Sequence, residues 1–243
     1  MKMAGMKFLY DAPGLLYRGA LIVGDTHFGM EGRLRRRGIY DEGFSMRLFG
    51  RLKELITSYK AGRLILLGDV KEDITTLDAT TEQVLAKLSM LCKVTIVRGN
   101  HDGGIERCGN AEVVPSEGFA YGKLGLLHGH SWPGAELMGC DYLVMGHQHP
   151  LVGMTDSSGR RHTEPAWLVA PPDPVKIAAK YEKFNMNIKL ILMPAFNQLV
   201  GSVVNFSEKE RLGPLLNNNL FKLDDALVFR LNGISLGRLK TIL

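Results

Sequence analysis

Five short apolar runs in the first 150 residues each stop on a small polar cluster. They are "ALIVGDTH" at 20–27, "LILLGD" at 64–69, "VTIVRGNHD" at 94–102, "LGLLHGH" at 124–130 and "YLVMGHQH" at 142–149. A continuous branched run of this length reads as a strand buried on both faces, which requires helices over the sheet. Between the runs lie helical patterns. In 41–62, Phe44, Leu48, Leu52, Leu55 and Ile56 recur at three- and four-residue steps, and Gly62 is placed to close the helix. Residues 77–92 read as a second helix. The β-α-β-α-β rhythm predicts an α/β fold. "FAYGKLGLLHGH" and "DYLVMGHQHP" read as one further strand each. The later chain turns β-rich through "IKLILMPAF", "ALVFRL" and "GISLGRL", with a hairpin at "LNGIS". Residues 171–186 are the least strand-like part of that half and predict a Pro-started excursion with a short helix.

In open α/β sheets, ligands bind beyond the carboxyl ends of strands. Those ends carry Asp25 and His27, then Asp69, then Asn100, His101 and Asp102, then His128 and His130, then His147 and His149. Of seven histidines, only His162 falls elsewhere. Single histidines are often satisfied core residues, but six at matching positions point to a metal site. Asp, Asn and His without thiolate suit manganese, iron, zinc or cobalt. Seven of these as ligand candidates, Asp25, His27, Asp69, Asn100, His128, His147 and His149, are too many for one ion with an open position. They suit two ions that share a carboxylate ~4 Å apart.

The ordered motifs D-x-H, G-D, G-N-H-D, H-G-H and G-H-x-H resemble the calcineurin-like metallophosphoesterase superfamily. The match spans residues 20–150. The pieces "GDTHFGMEGRLRRRG", "HGHSWP", "GHQHP" and "LMPAFNQLVGSVVN" further resemble ICC-like phosphoesterases, relatives of the DNA-ligase-associated type. The resemblance implies an α/β fold, a four-layer α-β-β-α sandwich of two mixed β-sheets flanked by helices, with 1–243 as a single domain. It implies that Asp25, His27 and His149 hold one metal, that Asn100, His128 and His147 hold the other, and that Asp69 bridges them. It makes His101 the contact to the substrate phosphate and general acid, with Asp102 setting its orientation. Manganese heads the expected cofactors, with iron, zinc, cobalt or nickel as alternatives.

The expected reaction is hydrolysis of a phosphate ester, a phosphodiester first, by a metal-activated water. A metal-dependent nuclease in nucleic acid repair is the nearest alternative. A non-catalytic scaffold is the third. The net charge of +5 fits an anionic partner and equally fits plain solubility. Arg33, Arg35, Arg36 and Arg37 could line the cleft rim or form a solvated face, with only Phe28 and Tyr40 nearby for stacking. Glu72 or Asp73 could support the site or be simple loop acids. His130 is expected beside the metal site rather than in it. Arg98 could contact phosphate or pack on the sheet edge, and Trp132 is expected to pack. Asn197 and Asn205 are expected in turns. Gly24 is expected to supply the tight turn off the first strand. Three cysteines, an odd count without C-x-x-C spacing, argue against a disulfide framework. No signal segment or membrane-spanning run is apparent, so a cytoplasmic protein is expected, with oligomeric state open.

Overall fold

The computed structural model describes residues 2–3, 5–155, 158–203 and 213–242. Asn205 lies outside them. Seven strands form the first sheet in sequence order: β1 Lys2–Met3, β2 Met6–Phe8, β3 Leu15–Tyr17, β4 Ala20–Val23, β5 Arg63–Leu67, β6 Lys93–Val97 and β7 Glu112–Val114. β4 to β7 run parallel, and β1 to β4 form an antiparallel meander. The second sheet contains β8 Phe119–Tyr121, β9 Leu124–Leu127, β10 Tyr142–Met145, β11 Pro150–Thr155, β12 Arg161–Ala170, β13 Lys189–Leu192 and β14 Ser202–Val203. Their spatial order is β14-β11-β12-β13-β10-β9-β8. β15 Leu227–Arg230 pairs with β12 and with β16 Ser235–Arg238. β9, β10 and β13 are parallel, and their neighbours β8 and β12 are antiparallel.

The period-two alternation of a strand decides which layer each residue enters. Leu21 and Val23 of β4, with Leu64 and Leu66 of β5, face α2 Phe44–Tyr59 and α3 Ala79–Ser89. Ile22, Ile65 and Leu67 turn inward and meet Leu126, Val144, Trp167 and Ile191 of the second sheet. The far face of that sheet is covered by α4 Pro174–Ala178, α5 Pro214–Asn217 and short 3-10 turns. The result is the expected α-β-β-α sandwich of two mixed sheets. The excursion at 171–186 does contain a Pro-started helix, α4, capped by the Asp173 side chain.

Three local expectations need correction. α2 closes not at Gly62 but at Lys60, which takes the left-handed cap at φ 51°. "FAYGKLGLL" is not one strand but the hairpin β8–β9, because Gly122 turns the chain at φ 62°. Gly24 does not supply a left-handed turn. A β-carbon there would make ordinary contacts, and the positive φ, 57°, falls on Asp25.

The two sheets depend on the layer between them. Ile191→Ala removes a fully buried side chain from it. Equilibrium urea unfolding is expected to show a loss of about 2–5 kcal/mol.

Candidate metal centre

The five ligand loops converge because the sheet's pairing continues past its strands. Beyond β4 and β5, Asp25 N–H donates to the Gly68 carbonyl at 3.1 Å, His27 N–H to Asp69 at 3.0 Å and Phe28 N–H to Val70 at 2.8 Å. The Thr26 hydroxyl adds a bond to the Val70 carbonyl at 3.1 Å. From the second sheet, the His147 N–H reaches both Asp25 carboxylate oxygens at 3.2 Å. After β13, Phe196 and Asn197 donate their N–H groups to the carbonyls of Gly24 and Asp25. Asp25, His27, Asp69, His147 and His149 all have φ between 44° and 65°. Non-glycine residues seldom adopt this conformation, and it clusters at functional sites where surrounding contacts enforce it. Close approach also demands glycine. A β-carbon on Gly146 would collide with the Asp25 carboxylate, and one on Gly68 with the His128 ring.

The side chains fall into two groups that share Asp69. Asp25, His27, Asp69 and His149 place one donor atom each within 4.8 Å of one another, and so do Asp69, His128 and His147. Asn100 joins the second group, its Oδ1 being 3.1 Å from His128 Nε2. Asp25, His27, Asp69 and His128 are buried.

The donor chemistry fits cations. His128 Nδ1–H donates to the Leu67 carbonyl at 2.8 Å. Its Nε2 therefore faces two oxygens, Asn100 Oδ1 at 3.1 Å and Asp69 Oδ1 at 3.3 Å. Either a proton or a metal ion must stand between them. His27 is arranged alike: Nδ1–H donates to Glu72 Oε2 at 2.9 Å, and Nε2 is buried without a hydrogen-bond partner, 3.9 Å from Asp69 Oδ2. His149 Nε2 lies 3.0 Å from Asp25 Oδ1.

The electrostatics follow from two buried carboxylates. Burial pushes Asp25 and Asp69 upward, but the adjoining histidines outweigh it and hold both below the usual range. Burial pushes His128 down, while Asp69 and Asp25 more than compensate and raise it to about 9. Burial and the charge on His128 push His147 down to about 3.

The surrounding candidates sort by what they touch. His101 Nδ1–H donates to the Glu72 carbonyl at 2.9 Å, so Glu72 backbone, not Asp102, fixes this ring. Asp102 is buried and accepts instead from backbone N–H groups, Val70 at 2.8 Å, Gly99 at 2.8 Å and Lys71 at 3.4 Å. It knits the second and third loops together, and burial raises its pKa. Of the two candidate acids, Glu72 reaches the site, while Asp73 caps a turn through Thr75 and Thr76. Half-buried His130 packs beside His128 and His147, with ring centroids at 5.3 and 6.1 Å, and its Nδ1 has no hydrogen-bond partner.

Arg98 pairs with Glu106. Trp132 packs against Tyr181 under Lys180. Asn197 Oδ1 accepts from Leu199 N–H in a turn, as expected, but its backbone also anchors Asp25. Arg33 bonds Glu72 Oε1 at 3.0 Å, which places α1 Met30–Arg36 at the site's rim. Arg35, Arg36 and Arg37 are exposed, and Phe28 is fully buried. The contact between Glu72 and Arg33 left no periodicity to find, since it joins a loop residue to a helix residue 39 positions away.

A metal ion held by His128 would displace its proton. Near neutral pH, calorimetric titration in buffers of different ionisation enthalpy is expected to show net proton release, from His128 and also from His149, which burial pushes down but Asp25 raises more, and affinity is expected to rise with pH up to about 9. Gly146→Ala is expected to push the Asp25 carboxylate aside and weaken metal binding in a protein that still folds, measured by the same titration with circular dichroism as control.

A family model for the calcineurin-like phosphoesterase superfamily domain matches residues 20–176. No curated protein matches the chain. Among solved structures, nuclease MPE from Pseudomonas putida is 20% identical, with 92% of each chain covered and a TM-score of 0.60. YfcE, a phosphoesterase from E. coli, is 16% identical, with 90% of this chain and 97% of that chain covered and a TM-score of 0.43. At these identities, the likeness to nuclease MPE speaks for the fold alone. The match to more than half of the sequence, together with the ligand-rich strand ends, makes this chain a member of the calcineurin-like phosphoesterase superfamily and a metal-dependent phosphoric ester hydrolase.

Proposed function

We propose that the chain is a dinuclear phosphodiesterase. The observation that carries this reading is the shared position of Asp69 between two donor groups. Asp25, His27 and His149 would hold one ion, Asn100, His128 and His147 the other, with Asp69 bridging and manganese the first choice. Two divalent ions supply Lewis acidity there, neutralising the phosphoryl charge and lowering the pKa of a water to about 7.

The protein's own groups supply the rest. Asn100 adds a neutral oxygen donor, so the site gains no further negative charge beside an anionic substrate. The Glu72 carbonyl keeps the His101 proton on Nδ1 and leaves Nε2 as the exchangeable end. From there His101 gives a proton to the leaving oxygen. Asp102 holds the loops that carry Asp69 and His101 in register through the three backbone bonds it accepts.

Hydrolysis of bis-p-nitrophenyl phosphate with added manganese tests the site. Asp69→Ala and His149→Ala are each expected to slow it about 100-fold or more, and equal rates in all three proteins would sink the assignment. His101→Ala is expected to cost about 10²–10⁴-fold with an alkyl leaving group. It should cost less with p-nitrophenolate, which departs without a proton.

A nuclease is the second reading. It is favoured by the exposed Arg36 and Arg37, about one helical turn along the chain from the rim residue Arg33, and by the name of the Pseudomonas putida relative. DNA or RNA cleavage is then expected to fall with salt, with KM changing by a log-log slope near 0.9 per duplex phosphate contacted. Flat salt dependence would count against it. The complete donor set argues against a non-catalytic scaffold. Among the described residues, no helix is long and apolar enough to cross a membrane. We place the reaction in the cytoplasm, in keeping with the free thiols of Cys92, Cys108 and Cys140.

A further inference from the structure

Glu72 makes two contacts of different kinds at the centre. Its carboxylate accepts from His27 Nδ1–H at 2.9 Å, and its carbonyl accepts from His101 Nδ1–H at 2.9 Å. The other carboxylate oxygen is held by Arg33 at 3.0 Å. Arg33 is itself well placed. Its helix, α1, is braced at the base by Glu31, whose carboxylate accepts from both the Ser45 N–H and the Ser45 hydroxyl at 2.6 Å. Ser45 is fully buried and in turn accepts from Gly29 N–H at 2.9 Å.

From this geometry we infer that Glu72 is a positioning residue for the metal centre and that Arg33 is its anchor. The inference rests on the two-ion reading above and deepens it. A carboxylate behind a ligand imidazole fixes the tautomer, aims the other nitrogen and raises its basicity. Here it leaves His27 Nε2 as the lone pair that faces Asp25, Asp69 and His149. The Glu72 side chain is only 10% exposed and that of His27 4%, so solvent screens this bond little. The Arg33 side chain is 39% exposed, and its pair with Glu72 adds little stability. What it adds is direction, because it occupies the oxygen that His27 does not use. Arg33 is therefore committed to the centre and is not a free cation for substrate, while Arg35 pairs with Glu42 and Arg36 and Arg37 are exposed.

The two contacts separate by chemistry. Removing the side chain abolishes the hold on His27 and leaves the carbonyl hold on His101. The effect must then fall on one ion. His27, Glu72 and His101 also lie within 4.8 Å of one another, as a third cation site would require. However, both Nδ1 atoms already point hydrogens at Glu72 oxygens and Arg33 holds the other carboxylate oxygen, so no third ion is assigned there.

Calorimetric titration with Mn²⁺ tests this on the wild type, Glu72→Ala, Glu72→Gln and Arg33→Ala, with thermal midpoints measured alongside. The wild type is expected to bind two equivalents. Glu72→Ala is expected to weaken one of them about 10–100-fold and spare the other. Glu72→Gln, which keeps an acceptor but loses the charge, and Arg33→Ala should weaken the same equivalent less, with thermal midpoints near wild type. Unchanged affinities in Glu72→Ala would overturn the inference alone. So would equal weakening of both equivalents with a lowered midpoint, or a third equivalent lost with Glu72. A wild type binding fewer than two equivalents would overturn the two-ion reading and this inference with it.

Discussion

Two carboxylates buried against each other's field set the terms for this molecule. Asp25 and Asp69 are removed from water at the seam of two sheets. A buried anion without a counter-charge costs several kcal/mol. Among the described residues, the protein meets this demand with histidines alone at the point of contact, and not with lysine or arginine. His128 takes the charge and rises to about 9; His147, beside it, is driven to about 3. The arrangement is balanced only by protons or by cations, and this is the chemical sense in which the fold is built around metal ions.

The same demand explains the architecture. Asp25, His27, Asp69 and Asn100 come from loops of the first sheet, and His128, His147 and His149 from loops of the second. Neither sheet alone completes a donor group. The apolar layer formed by Ile22, Ile65, Leu126, Val144 and Ile191 sets how the two loop sets face each other. Left-handed backbone at five of these residues persists because the N–H and carbonyl groups around them are already committed: His27 to Asp69, His147 to Asp25, Asn197 to Asp25. Strain of this kind survives only where neighbours over-determine it.

How much of this was legible in the sequence follows the same division. β4, β5, β6, β9 and β10 could be read because strands buried on both faces are continuous apolar runs. The metal-type residues at their ends could be read because a sheet aligns its strand ends. The meander β1–β3 could not, since strands of two or three residues carry too little period. The hairpin at Gly122 was hidden inside one apolar stretch. Lys60 took a left-handed cap that glycine would have advertised. The family resemblance set Asp102 to orient His101, yet its carboxylate turns to the amides of Val70, Lys71 and Gly99. Residue types announce side-chain chemistry; they do not announce where a loop's own N–H and carbonyl groups will point.

His101 shows why that limit matters for function. Its orientation comes from a peptide carbonyl, an acceptor every residue type carries. The geometry of the His101 ring is thus insulated from side-chain change at position 72, provided the loop path holds. The loop path is held by Asp102 and by Glu72 N–H donating to the Phe28 carbonyl at 2.8 Å. His27 has no such insulation, because it depends on the Glu72 carboxylate itself. Substitution at position 72 therefore reaches the two rings unequally. The orientation of His101, like that of His128, is written in backbone, and that of His27 in a side chain.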